Sequence, residues 1–149
     1  MLIYLDNCCY NRPYDDQGNI NVFLETQCKL HIQKCIKDKV HDLVTSYILR
    51  YESSANPYAS RRDAINQFIV ANTSLYVGIE NKIKIENAAY EIMKVGIKFK
   101  DACHISSAIY AHCDYFISTD KRLLKYRTNK IRLVTPVQFV SETEEEANG

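Results

Sequence analysis

The chain has 149 residues, of which 46% are hydrophobic and 25% charged, with a formal charge of +1 at pH 7. Such a length and apolar content suit one core and leave no room for a second globular domain. No apolar run approaches the roughly 20 residues that a membrane-spanning helix needs, which predicts a soluble, cytoplasmic protein with no membrane partner.

Leu2 to Leu5 is apolar throughout and stops at Asp6, with no basic leader before it. That pattern predicts an interior parallel strand rather than an export signal. Cys8, Cys9, Cys28, Cys35, Cys103 and Cys113 are then expected as buried thiols of a reducing compartment, not as a disulfide framework. A polar loop through Asn11, Arg12, Pro13, Asp15, Asp16 and Gly18 precedes apolar residues at Ile20, Phe23, Leu24, Cys28, Leu30, Ile32 and Cys35, whose spacing suits a helix. Leu43 and Val44 mark a second strand, and Thr45 or Ser46 can cap the helix of YILRYE.

Asn56 and Pro57 interrupt the chain before a helix over about 59–71, a strand over 75–79, and a helix over about 85–94 that ends toward Gly96. The tract from Lys98 to Lys125 reads as a helix starting at Asp101, a strand over 115–117 followed by Asp120, and a short helix in KRLLK. A last strand over 131–134 and a helical turn containing Phe139 complete the domain. Strands separated by helices predict an α/β fold of three layers, α/β/α, around a mostly parallel sheet. The expected boundaries are a domain over 1–140 and a flexible acidic tail over 141–149, where SETEEEANG holds four glutamates. Without those four, 19 basic residues face 14 acidic ones, a balance compatible with a phosphate-bearing partner and also ordinary for a solvated surface.

In an open parallel sheet the ligand crevice lies beyond the carboxyl ends of the strands, where Asp6 and Asp120 fall. Asp101 begins a helix that returns toward the same rim, and Glu52 is the acid hardest to bring there. Carboxylates that converge repel one another unless a cation enters, and an all-oxygen set suits Mg²⁺ or Mn²⁺. An ion so held supports phosphodiester hydrolysis. Each acid also has a plainer role: Asp6 as a turn cap, Asp101 at a helix N-terminus, Asp120 as the cap of KRLLK, Glu52 as a solvated charge.

YLDNCCYNRPYDD, SYILRYE followed by NP, KDACHISSAIYAHCDYFISTDKRLL and LVTPVQF together resemble PIN-domain proteins, in particular the small prokaryotic kind that includes toxin ribonucleases. The likeness runs from about residue 2 to 140. It implies a PIN-like fold and a metal-dependent endoribonuclease, the toxin of a toxin–antitoxin pair, forming a homodimer. It also implies that Asp6, Glu52, Asp101 and Asp120 are the catalytic, metal-holding quartet acting on RNA with Mg²⁺ or Mn²⁺. Ser118 matches a family Ser/Thr that positions water or a carboxylate. Asn7 departs from the Ser or Thr usual after the first aspartate, which implies altered positioning more than lost function. A non-catalytic PIN-type RNA- or protein-binding subunit is the alternative.

Arg12, Lys98, Lys100, Lys121 and Arg122 flank these acids and can hold RNA phosphates or pair with acidic neighbours; Arg61 and Arg62 are placed less well. Tyr10 or Tyr14 can stack on a base or pack in the core. Cys28, His31 and Cys35 share a helix face that could hold a soft metal, though paired Cys-x-x-Cys hooks are absent. His104 suits an RNA contact or a buried histidine behind the site. No G-x-S-x-G elbow and no glycine-rich phosphate cradle occurs, which removes a serine hydrolase and a Rossmann or P-loop protein.

Overall fold

The computed structural model describes residues 1–148. Its elements are β1 (Leu2–Leu5), α1 (Asn7–Asn11), α2 (Ile20–Lys37), β2 (Asp42–Ser46), α3 (Tyr47–Ser54), α4 (Ala59–Asn72), β3 (Thr73–Val77), α5 (Lys82–Met93), α6 (Phe99–Tyr110), β4 (Tyr115–Ile117), β5 (Arg132–Val134) and α7 (Pro136–Asn148). Short 3₁₀ turns cover Arg12–Tyr14, Ile79–Asn81 and Leu123–Lys125.

All strand pairs are parallel and the sheet order is β3-β2-β1-β4-β5. β1 is therefore central, and the chain reverses its direction of travel across the sheet between β1 and β4. That junction is the switch point at which open α/β sheets bind their ligands. The alternation of β1 explains the layers. Tyr4 faces one side with Val44, Phe116, Ile85, Ala89 and Ile105, whereas Ile3 and Leu5 face the other with Ile32, Ile36, Leu49, Ile69 and Phe139. Helices α5 and α6 thus cover one face; α1, α2, α3, α4 and α7 contribute to the core on the other. The three-layer α/β/α architecture expected from the sequence is present.

Local departures have physical causes. β3 begins at Thr73, where the Thr45 and Thr73 hydroxyls lie 3.1 Å apart, and stops before Gly78; this edge strand exposes Ser74, Leu75 and Tyr76, so its apolar pattern misplaces it. NCCYN is helix α1, and the Asp6 carboxylate, a candidate turn cap in the sequence, caps it by accepting from the Asn7 N–H at 2.8 Å.

Residues 141–148, expected as a flexible tail, continue α7. Glu142 neutralises Arg132 and accepts the Tyr115 hydroxyl at 2.9 Å, and Glu144 meets His31 at 2.8 Å. The expected end of that tail, Gly149, lies outside the described residues. Of the six free cysteines, Cys9, Cys103 and Cys113 are buried as expected, while Cys8, Cys28 and Cys35 are partly exposed. No helix among the described residues is long and apolar enough to cross a membrane.

Candidate active site

Asp6 leaves the carboxyl end of the central strand and is only 5% exposed. Its backbone N–H continues the ladder to the Ile117 carbonyl at 2.9 Å, so strand pairing itself fixes its position beside β4. Ser118, fully buried just past β4, donates its hydroxyl to Asp6 Oδ2 at 2.8 Å and accepts from the Asp120 N–H at 3.0 Å. One hydroxyl therefore ties the carboxylate after β1 to the backbone that carries Asp120.

Asp101 occupies the first turn of α6 rather than its start. Burial holds its carboxyl above the usual range, the charge of Asp6 adds to this, and Asp120 and Glu52 push the same way against the opposing pull of His104. The four acids are thus electrostatic neighbours on one rim. Asp101 alone among them accepts no hydrogen bond from the described residues.

The other two acids are restrained. Asp120 is gripped by Arg122, whose Nε and Nη2 donate to its two oxygens at 3.0 and 2.8 Å; that hydrogen bonding holds the Asp120 carboxyl below its ordinary range. Glu52, on α3, meets His104 Nε2 at 2.5 Å. His104 is fully buried on α6, and its Nδ1 lies 2.6 Å from the Tyr4 hydroxyl, itself 2.6 Å from Ser46 Oγ. Burial drives the imidazole toward neutrality, but the Glu52 hydrogen bond and the charges of Asp6, Glu52 and Asp101 outweigh it and raise its pKa. Tyr4 stays a phenol, because burial raises its pKa well above the ordinary value despite the Ser46 hydrogen bond. A dry relay from the N-cap of α3 through β1 and α6 therefore fixes Glu52, the acid that sequence spacing alone locates least well.

The acids share the rim without meeting at a point: among the described residues no group of three or more His, Cys, Asp or Glu side chains is set to hold a metal ion. The same finding covers Cys28, His31 and Cys35, where His31 instead pairs with Glu144. The donor chemistry of the rim is all carboxylate oxygen, which matches a hard divalent ion.

Two cavities border the acids. One of about 230 Å³ is lined by Gly96, Lys98, Asp101, Arg122, Lys125 and Tyr126. The other, of about 310 Å³, is lined by Asn7, Asn11, Glu52, Asn56, Tyr58 and Arg61. Larger cavities of about 670 Å³ lie elsewhere, one at the amino-terminal ends of β4 and β5 and one against α3 and α5. Among the basic candidates, Lys98 lines the Asp101 cavity, Lys100 the α3/α5 cavity, and Lys121 is exposed. Arg12 is held by Asp15 at 3.0 Å and Glu25 at 3.6 Å, and Arg122 by Asp120, so both guanidinium groups are already engaged. Tyr10 is buried in the core. Nothing in the sequence marks Asn11, Asn56 and Tyr58 as site residues; only the fold brings them to the cavity beside Glu52 and sets the buried Tyr4 behind it.

Solved structures share the fold. The chain superposes on VapBC2 from Rickettsia felis bound to a promoter DNA fragment with a TM-score of 0.55, 13% identity, and coverage of 91% of this chain and 98% of that one. FitAcB from Neisseria gonorrhoeae gives a TM-score of 0.55 and 12% identity, over 90% and 97% of the two chains. FitAB bound to an IR36 DNA fragment gives 0.57 and 14%, over 91% and 95%. The chain shares with them a three-layer α/β/α fold around a parallel sheet, consistent with a PIN-like architecture. At this identity the likeness is one of fold alone. By sequence, no family model and no curated protein matches the chain.

Proposed function

We propose that this PIN-like chain is a divalent-metal-dependent endoribonuclease, the toxin of a toxin–antitoxin pair acting on RNA in the cytoplasm. The observation that carries the reading is Asp101, a half-buried carboxylate with no donor of its own, raised in pKa by burial and by three neighbouring acids at the switch point of the sheet. Asp6, Glu52, Asp101 and Asp120 would hold Mg²⁺ or Mn²⁺. Such an ion, when bound, activates water and stabilises charge on phosphoryl oxygens. The chain's own residues prepare the site: Ser118 orients Asp6, His104 fixes Glu52, and Lys98 offers a cation to RNA phosphates beside Asp101.

Support for protein partners comes from exposed apolar side chains. Tyr51, Ile79 and Ile83 are 71%, 65% and 76% exposed, and Tyr51 and Ile79 border the apolar α3/α5 cavity. A second copy of the chain and an antitoxin are the proposed occupants of such surface.

Two observations favour a second reading, a non-catalytic PIN-type binding subunit: Asp120 is neutralised by Arg122, and no three of the acids meet as a metal-holding group among the described residues. Titrating Mg²⁺ or Mn²⁺ into wild type and Asp101→Asn while following cleavage of single-stranded RNA separates the two. The nuclease reading expects metal-dependent cleavage, abolished by EDTA, and a loss of at least a hundredfold in the folded variant. Asp101→Asn should also stabilise the metal-free fold at neutral pH. The raised pKa means that the folded state binds the proton more tightly, so stability falls as pH climbs through the carboxylate range, and the variant lacks that fall. A folded Asp101→Asn with the parent's rate and metal affinity would establish the binding reading instead.

A further inference from the structure

The 310 Å³ cavity beside Glu52 has a polarity imposed by its hydrogen bonds. The Tyr58 backbone N–H can only donate, and it does so to Asn56 Oδ1 at 3.0 Å. Asn56 therefore presents Nδ2, which donates to Asn11 Oδ1 at 3.0 Å. Asn11 in turn presents Nδ2 to the Asn7 carbonyl at 3.1 Å and to Asn7 Oδ1 at 3.4 Å. The chain of amides ends with Asn7 Nδ2, which has no acceptor among the described residues. A single backbone N–H thus orients three asparagines and leaves an N–H donor at the cavity, one residue after Asp6.

Arg61 supplies the second donor. Its guanidinium carbon lies 4.2 Å from the Tyr58 ring centroid and 4.9 Å from that of Tyr14, cation–π contacts that hold the group beside both rings, while none of its N–H groups is bonded among the described residues. No carboxylate pairs with it among the described residues; the nearby Asp63 pairs with Arg62 instead, at 3.6 Å. The one acid lining the cavity, Glu52, is occupied by His104.

Oriented N–H donors with one unpaired cation match a ligand that only accepts hydrogen bonds and carries negative charge. We propose that Asn7 and Arg61 form a subsite for a backbone phosphate of single-stranded RNA next to the bond at the acidic rim, with Asn11, Asn56, Tyr14 and Tyr58 as its positioning residues. The choice of RNA rests on the nuclease reading, but the subsite is tested by binding alone. A phosphate contact is independent of sequence and releases counterions.

The test measures fluorescence anisotropy of labelled 12-nucleotide oligo(U) and oligo(A) RNA in EDTA, from 50 to 200 mM KCl, with the full chain. Arg61→Gln is expected to lower the slope of log K against log salt by about 0.7, one single-strand phosphate contact. It should also weaken binding about tenfold, the equivalent of one charge-assisted hydrogen bond. Both RNAs should respond alike, and Arg61→Lys should recover the slope. Asn7→Ala should weaken binding with the slope unchanged, since it removes a neutral donor. Lys130→Gln, at the amino-terminal ends of the strands, removes the same charge far from the rim and should leave the slope as in wild type. No binding by wild type, a wild-type slope in Arg61→Gln, an equal change in Lys130→Gln, or a response confined to one RNA would each overturn the subsite. Absence of Mg²⁺-dependent cleavage alongside the Arg61 slope change would sink the nuclease reading and leave the subsite standing.

Discussion

Helix α1, which carries Asn7 out of the acidic rim, rests through Tyr10 on a buried cation, and removing that cation should stabilise the protein in a pH-dependent way. Lys29 is 6% exposed; its ammonium lies 5.7 Å from the Tyr10 ring and 5.9 Å from the Phe68 ring and donates to Gln33 Oε1 at 2.7 Å. Burial lowers its pKa from 10.5 to about 8, opposed by Cys9 and reinforced by the like charge of Lys37. In the folded state the proton is held less tightly than in the unfolded chain, so between those two values the unfolded state binds more protons and stability rises with pH. The full cost, on the order of 3 kcal/mol at 1.36 kcal/mol per unit, is present at pH 7 and is relieved toward pH 10. Lys29→Met keeps the stem and removes the charge. Losing the Gln33 hydrogen bond and the ring contacts offsets part of the gain, leaving about 1–2 kcal/mol of stabilisation at pH 7. At ~2–4 °C per kcal/mol, the variant should melt roughly 2–8 °C higher at pH 7. Melting both proteins from pH 7 to 10 and taking the difference cancels the titration of the other groups. A difference that does not shrink as pH rises would refute the assignment of Lys29 as a buried, pKa-lowered cation.

Deleting residues 141–149 removes the Glu142 carboxylate from Arg132 and Tyr115, and that of Glu144 from His31. Thermal melts should show a drop of about 2–4 °C, the worth of roughly 1 kcal/mol, where a solvated tail would give none. Arg122→Ala frees both Asp120 oxygens from an exposed guanidinium and should tighten Mg²⁺ binding in calorimetry; unchanged or weaker binding would count against Asp120 as a metal-holding acid.

Legibility in the sequence followed how locally each feature is determined. β1 and β4 could be read to the residue, because both are buried on two faces and their apolar runs end at Asp6 and Ser118. The edge strand β3 could not, because half-exposed Leu75 and Tyr76 carry no clean alternation. The acidic run after Val140 reads as a solvated tail until folding brings up Tyr115 and His31, 27 and 113 positions away. The site divides in the same way. Asp6 and Asp120 are marked by strand ends, but Glu52 owes its place to His104, 52 residues distant, and the Asn11–Asn56 link of the amide chain joins residues 45 positions apart.

The restraints on the four acids differ in kind, and the difference bears on how the rim can respond to a cation. Glu52 is held by a fully buried histidine whose other nitrogen is also occupied; breaking that pair would leave a charge in a dry core, a cost of several kcal/mol. Asp120 is held by an exposed arginine, in a pair that solvent screens strongly. Asp6 accepts from the Ser118 hydroxyl, the Asn7 N–H and the Cys8 thiol, none of which carries a charge that a cation must displace. Asp101 is unrestrained and already disfavoured as an anion. A cation taken up as proposed would therefore leave Glu52 and Asp6 in place at the lowest cost and replace Arg122 at Asp120, near Asp101. Arg122 released in that way would still stand beside Lys98 and Lys125 in the neighbouring cavity, where its charge can meet a phosphate instead of a carboxylate.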